Sequence, residues 1–185
     1  MAKKLGDARF RKTEEAIFGA FFEKEDGVKL GVGELAQKVG VNRVTIYRHH
    51  RAIREITENY ESYILEKYTE LMTEVRKRED VELRRIYYEV VLFILQNRRI
   101  FEMLIKRKNF KVLDEMMVVL KPEMANFIRL SGSYERIFKV HTGEIVGLIV
   151  DWGLDGFQEA KIVKLLNNIM YLTRSARGRL LPLAD

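Results

Sequence analysis

The chain has no cysteine and only two prolines, Pro122 and Pro182, among 185 residues. Without cysteine there is no disulfide framework, no thiolate nucleophile and no cysteine-based metal site. The three histidines, His49, His50 and His141, are not spaced as a metal cluster. Long stretches show helical periodicity, and none shows sustained alternation of apolar and polar residues. The longest apolar runs, such as residues 90–95 and 145–150, fall far short of the roughly 20 residues that span a bilayer. The opening residues, MAKKLGDARFRK, lack the apolar core of a signal peptide. No glycine-rich phosphate loop, metal-ligand spacing or nucleophile set is visible. Asp151 and Asp155 read as loop and helix-end residues rather than paired acids. The expectation is a cytoplasmic all-α protein that is not an enzyme, with no cofactor, no metal and no membrane partner.

What is present is 47% hydrophobic and 32% charged, enough to bury a core. The net charge is +6, and the first 56 residues, with 12 Lys/Arg and 8 Asp/Glu, carry +4 of it. Between Asn42 and Arg54 stand four arginines, Arg43, Arg48, Arg51 and Arg54, and no acid. Such an excess permits a polyanionic partner, although a charge run alone fits a solvated face equally well.

Periodicity predicts a first helix from Asp7 or Thr13 to Lys24, with Ile17, Ala20 and Phe21 on one stripe and Glu25–Gly27 ending it. A short helix follows at 32–39, broken by Gly40. Asn42 is placed to cap a third helix at 43–50. A long fourth helix spans 52–77. Five more lie near 81–96, 98–108, 110–130, 133–152 and 158–175, making about nine, with Pro122 kinking or splitting the third of these five. Ser131–Ser133 and Gly153–Gly156 read as loops, and the tail from Gly178 as frayed.

The stretch GELAQKVGVNRVTIYRHH, Gly33 to His50, puts many hydrogen-bond donors on one short segment directly after a tight turn. A helix-turn-helix needs two short helices around a tight turn, a small residue where they cross, and a turn residue that tolerates positive φ. Ala36 and Gly40 meet those needs, and Leu35, Val39, Val41 and Ile46 supply a shared core. Arg43, Thr45, Tyr47 and Arg48 then leave the second helix near the end that enters a major groove. Arginine can read guanine bidentately, and tyrosine and arginine can hold phosphates.

These residues, with Ile17, Ala20, Phe21 or Phe22, Gly27 and Glu55-Ile56, resemble the DNA-binding domain of the TetR/AcrR family of bacterial transcription regulators over about the first 60 residues. The family segment reads I-A-x-x-A-G-V-S-x-x-T-L-Y-x-H-F. Leu35-Ala36, Gly40-Val41, Asn42, Thr45-Ile46-Tyr47 and His49 match it position by position. The resemblance implies that residues around Arg43, Val44 and Thr45 face bases and that Tyr47 and His49 hold phosphates. Asn42, Arg48, Arg51 and Arg54 complete the expected DNA-binding set. Three positions depart from the pattern. Gly31 stands where the family has a capping threonine, His50 where it has a buried phenylalanine, and Ile53 where it has a lysine; Arg51 or Arg54 would replace that lysine's phosphate contact. The expected organisation is a DNA-binding domain at 1–52 joined by the long helix to a larger helical domain at 53–185.

In the larger part, Gly143 and Gly147 lie four apart on one helix face. Glycine costs about 1 kcal/mol relative to alanine inside a helix, so the pair points to close approach of another helix. The last two helices resemble the family's dimer-forming pair, which implies a homodimer using Gly143, Gly147, Ile149, Trp152, Leu165 and Ile169. The same apolar residues would also serve packing within one chain. Family members often hold an effector among the middle helices, and Phe93, Met103, Met116, Phe127 and His141 are the candidates here for a small apolar effector, methionine being adaptable in irregular spaces. The implied function is a regulator, foremost a repressor, that binds double-stranded DNA as a dimer. The alternatives are an adaptor of this fold acting through a protein partner and a DNA-binding protein without sequence preference.

Overall fold

The computed structural model describes residues 8–22, 30–78, 82–127 and 134–178, and all regular structure among them is helical. The elements are α1 (Ala8–Phe22), α2 (Val32–Val39), α3 (Arg43–His49), α4 (Ile53–Arg76), α5 (Leu83–Gln96), α6 (Arg98–Lys106), α7 (Lys111–Val119), α8 (Lys121–Phe127), α9 (Tyr134–Leu154) and α10 (Ile162–Gly178), with one 3-10 turn at Glu159–Lys161. Among the described residues ten α-helices replace the expected nine or so, because the segment 110–130 divides at Leu120. Pro122 has no N–H to donate back along α7, and it sits in the first turn of α8, where that donor would be unused in any case. The expected helix end at Glu25–Gly27, the Ser131–Ser133 loop and the tail beyond Gly178 lie outside the described residues.

The chain forms two compact units, Met1–Ile64 and Leu65–Asp185. The first carries its own core of Ile17, Phe18, Ala20, Leu30, Leu35, Ala36, Ile46 and Ile56. Tyr60 and Tyr63 of α4 pack against it. The opening turns of α4 thus belong to the first unit, and the division falls within that helix and beyond the expected boundary at 52/53. Phe18 is the hub, with ring centroids of Tyr60 and Tyr63 at 4.6 and 5.3 Å.

In the second unit α9 packs against α10, α6 and α7, and α10 packs against α5. The α9–α6 crossing requires Gly153. A methyl there would overlap Ile105 Cδ1 and lie 2.8 Å from Phe157 Cζ, both on buried side chains. Gly153→Ala is expected to lower stability by about 1–3 kcal/mol through overpacking, read as a shift in urea midpoint at unchanged slope. No helix among the described residues is long and apolar enough to cross a membrane.

Candidate nucleic-acid interface

The turn between α2 and α3 is built by two residues with local reasons for being there. Gly40 adopts φ 74°, ψ 30°, the left-handed region that glycine enters without penalty. Its N–H donates to Gln37 O at 3.2 Å, and Val41 N–H to Ala36 O at 2.9 Å, closing the end of α2. Asn42 then caps α3, its Oδ1 accepting from Thr45 N–H at 2.8 Å and from the Thr45 hydroxyl at 3.0 Å. Gly31 precedes α2 with no side-chain cap.

One face of α3 is anchored by Ile46, 1% exposed in the shared core. The opposite face presents Arg43, Val44, Tyr47 and Arg48, spaced i, i+1, i+4, i+5, and all are exposed. Val44 and Tyr47, at 59% and 53%, are the exposed large hydrophobics of the first unit among the described residues. Arg51 and Arg54 are exposed just beyond, and Arg54 faces Glu58 one turn on at 3.6 Å, a solvent-screened pair. The Arg51 N–H donates to Glu55 Oε2 at 2.7 Å, which secures the start of α4. Thr45 and Asn42 satisfy each other in the cap, so of the expected set Arg43, Val44, Tyr47, Arg48, Arg51 and Arg54 are brought together as an outward surface.

His49 departs from its expected place. Its ring stacks on Phe10 of α1 at 3.9 Å between centroids, its side chain is 5% exposed, and its Nδ1 lies 4.0 Å from Glu14 Oε2. Periodicity turns position 49 toward α1, so it braces α3 instead of offering a phosphate contact. His50 is also inside, 1% exposed. It takes the place of a buried ring beside Phe18, at 5.6 Å. The Asn59 amide donates to its Nδ1 at 2.9 Å, and its Nε2 stands 3.6 Å from Glu14 Oε1. Burial lowers its pKa to about 4; neighbouring His49 adds to the shift and Glu55 opposes it. Burial raises the pKa of Glu14.

The second unit sorts the expected dimer residues into two groups. Ile149, Trp152, Leu165 and Ile169 are 0–5% exposed within one chain and so cannot form the outer face assigned to them. Trp152 explains why. Its indole N–H donates to Gln158 O at 3.0 Å and its ring meets Phe157 edge-on at 4.8 Å, tying down the turn before α10. Gly143 and Gly147 lie on the opposite, open face, with nothing within 4 Å of an added methyl among the described residues. Val140 and Leu154 share α9's exposed side with them, and Val163 and Tyr171 are exposed on α10.

Of the expected effector residues, Phe93, Met103, Met116 and His141 are buried in the second unit, and the Phe127 side chain lies outside the described residues. A polar cluster inside this apolar core was only partly legible. Thr173 Oγ1 is 3.1 Å from His141 Nε2 and 3.3 Å from the Tyr87 hydroxyl, while its own hydroxyl donates to Ile169 O. Burial pushes Tyr87 up to about 12. Tyr68, 5.3 Å from Phe93 ring to ring, buries a hydroxyl with no hydrogen-bond partner among the described residues. Tyr68 and Thr173 carry no motif, so nothing in their spacing marks them.

No protein-family model matches the chain, and neither a curated protein nor a solved structure does.

Proposed function

We propose that the protein is a sequence-specific DNA-binding transcriptional regulator acting as a homodimer on a roughly palindromic operator. The observation that carries this reading is the outer face of α3. A seven-residue helix, held behind a left-handed glycine turn and its own asparagine cap, exposes Arg43, Val44, Tyr47 and Arg48 and buries Ile46. The chemistry suits a major groove: arginine for guanine N7 and O6, valine methyls for the thymine methyl, tyrosine and the second arginine for phosphates. The resemblance of residues 35–49 to the TetR/AcrR reading head supports the same conclusion.

Two heads are needed for useful specificity, set on half-sites about 34–36 Å apart. The open glycines supply the dimer face. Packing among the described residues does not require Gly143 or Gly147, so their helix cost is offset by a helix from a second copy approaching closely. Gly147→Arg is expected to give a monomer by sedimentation at micromolar concentration with an unchanged melting profile, since position 147 is exposed and an added Cβ has nothing within 4 Å among the described residues. A dimer that persists would rule out this face. An effector, where one acts, would occupy the second unit and shift the population of head separations through α4, which belongs to both units.

The test is selection from a random duplex pool at near-physiological salt, with the Arg43→Ala, Tyr47→Ala variant in parallel. A two-fold-symmetric motif enriched by the wild type alone supports the proposal. Binding without enrichment that falls steeply with salt would mean a protein without sequence preference. No binding would favour an adaptor, a reading to which the exposed Val44 and Tyr47 and the inward His49 also lend themselves.

A further inference from the structure

The first turn of α2 contains a glycine for which helix formation gives no reason. Gly33 is the second residue of a helix of only eight, and the cap before it is Gly31, which contributes no side chain. Alanine at position 33 would favour the helix. Space explains the glycine. A methyl carbon at position 33 would sit 2.5 Å from Arg43 Nη2 and 2.9 Å from both Cζ and Nε. The guanidinium of the first residue of α3 therefore lies across the bare backbone of α2. Arg43 makes no hydrogen bond or ion pair among the described residues, so its donors stay open to an incoming acceptor.

We propose that Gly33 is a positioning residue for base reading: lacking a side chain, it seats the Arg43 guanidinium against α2 and sets the direction from which that arginine meets a base edge. The proposal rests on the DNA-binding reading and deepens it. A free arginine loses rotamer entropy when it makes a bidentate contact, and a seat that already restricts it reduces that loss. Because the guanidinium is the far end of a flexible side chain, a methyl at position 33 displaces it without disturbing the core. Seat and stability are thus in opposition, and alanine would improve the helix while spoiling the reading.

The experiment compares Gly33→Ala, Arg43→Ala, Arg43→Lys and the Gly33→Ala, Arg43→Ala pair in full-length protein, by site selection and by melting. Gly33→Ala is expected to melt at or above wild type and to lose about tenfold in preference at the base positions that Arg43→Ala relaxes, consistent with the loss of one bidentate base contact. The salt dependence of its non-specific binding should stay unchanged. The pair should match Arg43→Ala alone, because without the arginine the seat has no occupant. Arg43→Lys, which has no planar fork, should keep less preference than wild type. If Arg43→Ala relaxes the motif while Gly33→Ala keeps it, the seat is refuted and the DNA reading stands. Full preference in Arg43→Lys would likewise refute it, whatever the fold of the alanine variant. A motif untouched by Arg43→Ala, or none with wild type, would remove the base-reading role of Arg43 and the seat together.

Discussion

Replacing Arg43 and Tyr47 together by alanine is expected to lower affinity for the selected operator by roughly 10³–10⁶-fold, from about 1–3 kcal/mol for a base contact and about 1 kcal/mol for a phosphate hydrogen bond at each of two heads. The two residues should separate by type of loss. Tyr47 is uncharged and exposed at 53%, so Tyr47→Ala should weaken binding to all sequences alike and leave the salt dependence unchanged. Arg43→Ala should also relax preference at one position of each half-site. Both side chains project from the face of α3 opposite Ile46, so neither substitution opens a cavity, and far-UV circular dichroism should match wild type. Fluorescence anisotropy on the selected duplex and on a scrambled one measures both components. If both variants bound like wild type, α3 would not be the reading helix.

The second large effect is loss of the first unit's fold in acid. His50 is neutral in the folded first unit because burial holds its pKa near 4, against the ordinary 6.5 of an exposed histidine. Between those values the unfolded chain binds the extra proton and the folded one does not. Stability from this group is therefore fully present above pH 6.5 and is lost as the pH falls toward 4. Protonation would also end the acceptor role of Nδ1 toward Asn59. The groups facing the ring do not all act in one direction. His49 on α3 deepens the depression and Glu55 on α4 opposes it. Glu14 on α1 is drawn upward by its own burial and would attract a protonated ring. The net loss is on the order of 2 kcal/mol.

The two units offer a direct readout. The single tryptophan, Trp152, lies in the second unit, so its emission reports on that unit. In a titration from pH 7 to pH 4 at fixed mild urea, far-UV signal should fall before the tryptophan emission shifts. His50→Phe places an uncharged ring beside Phe18 and should abolish the early phase. Asn59 is exposed and can exchange its lost acceptor for water. An early phase that survives in His50→Phe would assign the acid step to another group.

The sequence by itself determined the features that are local. The left-handed turn at Gly40, the Asn42 cap and the bounds of α2 and α3 depend on residues within a few positions of one another, where glycine's missing Cβ and the reach of an Asx side chain decide the backbone. The core of the first unit was legible for the same reason, since Leu35 and Val39 lie one turn apart on α2, and Val41 and Ile46 follow within seven residues across the turn.

Only the tertiary structure decided what covers each apolar stripe. The spacing of Ile149, Trp152, Leu165 and Ile169 marks a buried face but not the helix that buries it, and packing within the chain uses that face up, leaving Gly143 and Gly147 outside. The resemblance that implied a phosphate contact for His49 does not reveal that Phe10, 39 positions earlier, comes to stack on it. Gly33 carried no signal without Arg43 laid over it, nor Thr173 without Tyr87 and His141. Contacts between residues distant in the chain depend on how helices cross, and crossing is settled by side-chain volumes on both partners at once, which no single helix's pattern contains.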